Sequence, residues 1–153
     1  MDNNYALREH LLELLKGESA HISLEAAFAD YPVEHINTRA PGSPHTAWQL
    51  LEHIRIAQRD ILDFSTNADY KEMKWPDDYW PKEEGTAERW TESVKQTLDD
   101  LQSIRDLVAD EQTDLFAKIA HGSGQTVLRE VLLVADHNAY HLGQIMLIKK
   151  SLP

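Results

Sequence analysis

The stretch QTVLREVLLVADHNAYHLGQIMLIKK, residues 125–150, decides the fold. It predicts one long helix with two differently coloured faces. Set His137 at zero and advance about 100° per residue; Glu130, Leu133, Val134, His137, Tyr140, His141, Gln144 and Ile148 then lie within about 60° of zero. Leu128, Leu132, Ala135, Ala139, Leu142 and Met146 lie within about 40° of the opposite side. A helix apolar on both faces is buried on both. One face serves a bundle core. The other needs a cover, either another helix of this chain or a second subunit. Ala135 and Ala139 allow close helix approach, and we expect a homodimer built on that second stripe.

Outward from this helix, three more long helices are predicted. Leu7, Leu11, Leu14 and Leu15 recur at helical spacing, with Asn3 or Asn4 as cap and Gly17 as stop. A second helix runs from 44 to 66, with Ser43 as cap, Pro44 in the first turn, and a stripe of Ala47, Leu50, Ile54, Ala57, Ile61 and Phe64. Thr86 caps a third, whose stripe is Trp90, Val94, Leu98, Leu101, Ile104 and Val108. Ser23 caps a short piece, and a single helical turn is expected around Leu115, Phe116 and Ile119, before Gly122-Ser123-Gly124. Two connections are long. Residues 31–44 hold Pro32, Pro41, Gly42 and Pro44; residues 67–85 hold Tyr70, Trp75, Tyr79 and Trp80, broken by Pro76 and Pro81. The aromatic connection is either a strap on the outside or a lid over a site. No strand-like alternation of useful length occurs. The expected fold is all-α, a four-helix bundle with long crossover connections, in a single domain over 1–153.

Composition narrows the function. The 153 residues include 15 Lys and Arg against 26 Asp and Glu, a net charge of −11, which argues against a nucleic-acid groove or an anionic-membrane patch. With no cysteine, disulfides, thiolate zinc sites and a cysteine nucleophile are excluded. No apolar run approaches the roughly 18 residues of a membrane span. Met1-Asp2-Asn3-Asn4 does not read as the basic start of a signal peptide, so a cytoplasmic location is expected.

There are 8 histidines. His137 and His141 are neighbours on one helical face and can reach one ion, since i and i+4 side chains meet. Glu130 and Gln144 share that stripe. Four polar residues on an otherwise apolar face are costly to bury without partners, and an ion with its hydrogen-bonded surroundings would satisfy them together. A third ligand must come from elsewhere. His53 borders the stripe of the second helix, His45 opens the same helix, His10 borders the first, and His121 sits in a loop; spacing does not choose between them. The His-Glu-x-x-His zinc motif is absent, as is the paired Glu-x-x-His pattern of di-iron bundles.

Asp136-His137-Asn138-Ala139-Tyr140-His141-Leu142-Gly143-Gln144-Ile145 resembles the last-helix signature of the DinB-like superfamily, the damage-inducible proteins that are not polymerases. Trp48-Gln49-Leu50-Leu51-Glu52-His53-Ile54 resembles its second-helix segment, and His121-Gly122 to Arg129-Glu130 the run-up to the last helix in one branch. The order of elements matches along nearly the whole chain. The resemblance implies a crossover four-helix bundle, often a homodimer, and a divalent metal held by His53, His137 and His141. Characterised relatives include transferases and isomerases that use bacillithiol, mycothiol or glutathione.

Three neutral nitrogen ligands leave a coordination position open, the pattern of a catalytic rather than a structural metal. A thiol or water bound there would ionise near neutral pH. Because the chain has no cysteine, a thiolate must arrive as a cosubstrate. The expected activity is transfer of a low-molecular-weight thiol to an electrophilic small molecule, with zinc, nickel or iron as the metal. The alternatives are a metal-dependent hydrolase and a non-catalytic metal-binding or stress-response bundle. Glu130 and Gln144 are the candidates for proton handling or for supporting the ligands.

Overall fold

The computed structural model describes residues 3–153. Its helices are α1 (Asn3–Lys16), α2 (Leu24–Ala29), α3 (Ala47–Thr66), α4 (Ala87–Ala109) and α5 (Val127–Lys150), with a 3-10 turn at Val33–His35. The described residues form no strand, only an isolated antiparallel bridge between Lys118 and Thr126.

Threonine and serine start four of these helices. Ser23, Thr46, Thr86 and Thr126 each accept a hydrogen bond from the backbone N–H three residues on, supplying a partner that the first turn lacks. At α3 the cap is reciprocal: Gln49 returns a bond to the N–H of Thr46. That capping box corrects the expected start at Pro44. Ser43 instead turns on itself, its hydroxyl donating to the carbonyl of His45, so Pro44 and His45 lie ahead of the helix. Gly17 ends α1 at φ 72°. Asn3 and Asn4 are already helical, and the position before them lies outside the described residues.

α3 packs against α4 and α5, and α1 also packs against α4 and α5. Helices α1 and α3 are therefore diagonal, as are α4 and α5. The segments 17–46 and 110–126 make the two diagonal crossings. The expected helical turn in the second of these is absent. Instead Ile119 donates to the carbonyl of Gln125 and Leu128 to that of Leu115, pinning the segment flat against the bundle end.

The connection 67–86 joins two adjacent helices and does not need its length for the crossing. Its length is used for docking. Tyr70 and Tyr79 both donate to the carboxylate of Asp60, at 2.9 and 2.6 Å. Trp48 donates to the carbonyl of Glu83 at 2.8 Å, and Asn37 brackets the backbone of Gly85. Gly85 is required there, because a Cβ would stand 2.5 Å from the Trp48 ring.

The core has two apolar parts. One gathers Leu24, Phe28, Trp48, Leu51, Ile54, Trp90 and Ile145; the other Leu11, Leu15, Leu62, Ile104, Val108, Val131 and Val134. A buried polar belt lies at their junction: Asn138 donates to Gln58 at 2.8 Å, and Gln58 donates to the carbonyl of Thr97 at 2.7 Å.

α5 buries Glu130, Val134, His141 and Ile148 from its histidine face, Leu142 from the opposite one, and Val127, Val131, Asn138 and Ile145 between them. The stripe assigned above to a second subunit is partly covered within the chain, where α1 and α2 lie against α5. Leu142 is buried, Leu128 and Ala135 pack on one core cluster and Met146 on the other; Leu132 stays exposed.

No helix is long and apolar enough to cross a membrane among the described residues.

Candidate metal centre

α3 and α5 bring His53, His137 and His141 together. Their candidate ligand atoms all lie within 4.8 Å of one another. His53 is 2% exposed and His141 8%; His137 is partly buried. The ring pairs meet edge to face at 4.5 to 4.8 Å between centroids.

Hydrogen bonds assign the nitrogens. His53 Nδ1 lies 2.9 Å from the carbonyl oxygen of Tyr79, which can only accept. The proton therefore sits on Nδ1, and Nε2 offers a lone pair. His141 Nδ1 lies 2.6 Å from Oε1 of Gln144, which leaves Nε2 of that ring likewise bare. His137 Nε2 faces His53 Nε2 at 3.0 Å. A metal-ligating histidine usually donates its other ring N–H to a carbonyl or carboxylate, and two of the three do so here.

The rings are held neutral. Burial pushes the pKa of His137 down to about 4, with repulsion from His141 and His53 adding to it. Burial lowers His53 too, more strongly than the Tyr79 carbonyl raises it. His141 is lowered by burial against the opposing Gln144 bond. Neutral imidazole is the form that ligates. Converging neutral nitrogens with preset tautomers fit a divalent transition ion, and the cluster can hold one.

The aromatic connection lies over His53 rather than on the outside of the bundle. The ring of Trp80 stacks flat on His53, 4.0 Å between centroids and 1° between planes. His45 stacks on the same indole at 4.1 Å. Neither the carbonyl of Tyr79 nor the stacking of Trp80 has a sequence signature. Asp60, which anchors Tyr79, did leave a trace: it follows His53 by two helical turns on α3.

Of the other predicted residues, Gln144 touches His141, while Glu130 does not reach the cluster. Glu130 is 3% exposed, pairs with Arg129 at 2.8 Å, and lies two turns from His137. It lines a polar cleft of about 530 Å³ with Asp60, Tyr79, His121 and Arg129. His10 and His21 are exposed, and His121 donates to the carbonyl of Phe64, apart from the triad.

A second cleft, of about 250 Å³, lies between the 40–45 loop, the start of α3 and the last turns of α5. His45, Gln144, Ser43 and Ser151 are its polar lining residues, and none of the three histidines lines it.

No curated protein and no solved structure matches the chain. The family model of the DinB superfamily matches residues 18–145, which covers α2, α3, α4, α5 as far as Ile145, and all three histidines. The chain belongs to the DinB superfamily.

Proposed function

We propose that the protein is a metal-dependent enzyme that joins a low-molecular-weight thiol to an electrophilic small molecule. His53, His137 and His141 would hold the ion, zinc or nickel before iron. One observation carries the reading: three neutral imidazoles converge, with a backbone carbonyl and an amide oxygen orienting two of them. Such orientation is characteristic of a ligand set. A divalent ion on neutral ligands supplies positive charge that keeps a thiol ionised at neutral pH.

The chain supplies no sulfur nucleophile of its own. In the transfer the thiol sulfur forms a bond to the electrophilic carbon, the leaving group departs with the bonding pair, and the thiol proton passes to water. Two reactants need two spaces, and two clefts adjoin groups that hold the histidines: Tyr79 lines one and Gln144 the other. Tyr79 and Gln144 fix the rings; Glu130 shapes the polar cleft.

The test is elemental analysis of untagged protein beside His53→Ala, purified without chelator. We expect about one transition metal per chain in the wild type and loss in the variant, followed by thiol consumption when generic electrophiles are supplied. A loaded protein inert toward every thiol, yet cleaving activated esters, selects the hydrolase. A protein that takes up neither zinc nor nickel overturns the enzyme reading.

A further inference from the structure

A histidine ring has both a direction and a tilt, and the hydrogen bond on His53 governs only the first. The Tyr79 carbonyl, 2.9 Å from Nδ1, sets where the ring points. It leaves the ring free to rock about the N–H···O line, because the preferred geometry at a carbonyl oxygen is broad. Rocking would turn the Nε2 lone pair away from the other two rings, His137 and His141.

Trp80, the next residue, removes that freedom. Its indole lies 4.0 Å from the His53 ring between centroids, with 1° between the planes, and His45 covers its other face at 4.1 Å and 16°. Aromatic pairs left to themselves prefer edge-to-face or offset arrangements, at about 4.5–7 Å. The pairs that His53 makes with His137 and His141 are of that edge-to-face kind. The two on the indole are closer and face to face, so the surroundings impose them. α3 supplies His53, the loop ahead of α3 supplies His45, and the docked 67–86 connection supplies Trp80. The indole also packs on the core cluster that contains Trp48, Leu51 and Ile54. The electrostatics of the stack suit a ligand. An imidazole bound to a divalent ion takes on part of its charge, and an indole face is the best aromatic partner for positive charge.

We infer that Trp80 is a positioning residue of the metal centre: its indole, backed by His45, sets the plane in which His53 presents Nε2. Tyr79 and Trp80 work as a pair, the carbonyl of one aiming the ring and the indole of the other fixing its tilt. The inference rests on the metal-dependent reading above.

Two readouts on the full chain test it: zinc affinity by competition with a chromogenic chelator, and the visible spectrum of the cobalt-loaded protein, whose bands follow the arrangement of the ligands. Trp80→Leu keeps an apolar side chain and removes the plane; Trp80→Phe keeps a plane. Loss of a group that orients a ligand typically lowers metal affinity about 10- to 100-fold, and Trp80→Leu is expected to fall in that range with shifted cobalt bands. Trp80→Phe is expected to recover most of the affinity and the wild-type bands. A residue that serves only as apolar cover would give equal affinities for the two variants and unmoved bands, and that result overturns the inference. Should Trp80→Leu fail to fold, His45→Leu decides from the half-buried outer side of the stack. A smaller loss with shifted bands sustains the inference; unchanged affinity and bands overturn it. A wild-type protein that takes up neither zinc nor cobalt overturns the metal reading, and the inference falls with it.

Discussion

Among the buried polar side chains of this bundle, Arg8 and the histidine cluster are held in opposite ways. Arg8, on α1, is 6% exposed. Its guanidinium donates to the carbonyls of Val108, Asp110 and Thr113, at 2.6, 3.0 and 2.5 Å. Those acceptors lie at the end of α4, where carbonyls lack helical partners and the helix dipole favours a cation. The two terminal nitrogens meet three main-chain acceptors while Nε stays buried without one, and the arrangement locks α1 to the second crossing. His53 and His141 are buried to a similar degree, and His137 partly so. Yet each of His53 and His141 uses one nitrogen on the protein and aims the other at a common point. A polar group whose bonds close on the chain is structural. Polar groups whose free atoms converge describe a binding site.

That contrast can be broken by substitution. Arg8→Met should give the largest effect, a loss of about 3 kcal/mol of stability, because it leaves buried carbonyls without donors. Its metal content should not change. Denaturant unfolding with elemental analysis checks both; a variant that unfolds no earlier would make Arg8 incidental. His53→Ala should do the reverse, lowering metal affinity at least about 100-fold, near 2.7 kcal/mol, by competition with a chromogenic chelator. If its metal-free form melts far below the metal-free wild type, the triad is structural after all and the distinction fails.

Smaller changes sharpen the comparison. Asp60→Ala removes the acceptor of both Tyr70 and Tyr79 and frees the strand of chain whose carbonyl orients His53. Groups of this kind typically alter metal affinity about 10- to 100-fold, and the low end is expected here because Asp60 acts through two intervening groups. Gln144→Leu should match it from the α5 side. The smallest effect is on pH dependence. Tyr70 is pushed up to about 12 by burial first and by its bond to Asp60 next. Tyr79 is raised for the same reasons. A hydroxyl whose folded pKa lies above its unfolded value contributes stability below pH 10 and loses it as pH climbs toward 12. Ultraviolet titration should therefore show late-ionising tyrosines, and Asp60→Asn should bring Tyr70 forward.

Much of this was legible in the sequence. Periodicity located the long helices, and Ser23 and Thr86 marked the starts of α2 and α4. His137 and His141 advertised themselves through one-turn spacing on an apolar helix. His53 did not; its place on the stripe border fits a packing residue equally well, and the resemblance of Trp48 to Ile54 was needed to choose it. The start of α3 was misread because Ser43-Pro44 and Thr46 to Gln49 both look like helix openings, and the reciprocal box won. The role of residues 67–86 was hidden for a deeper reason. A backbone carbonyl and a stacking plane carry no residue code, and which side of the bundle a connection crosses depends on the packing order of helices far apart in the chain. Arg8 was invisible likewise, since its acceptors are main-chain atoms about a hundred positions away.

The span of the His53–His137 contact bears on how the protein is made. The two histidines are 84 residues apart in sequence. At a synthesis rate of about 5–20 residues per second, His137 follows His53 by on the order of ten seconds. Throughout that interval the nascent chain presents a single histidine of the set, which cannot compete for an ion. Any capture of an ion by the set would await the emergence of the last helix, after synthesis of nearly all of the bundle.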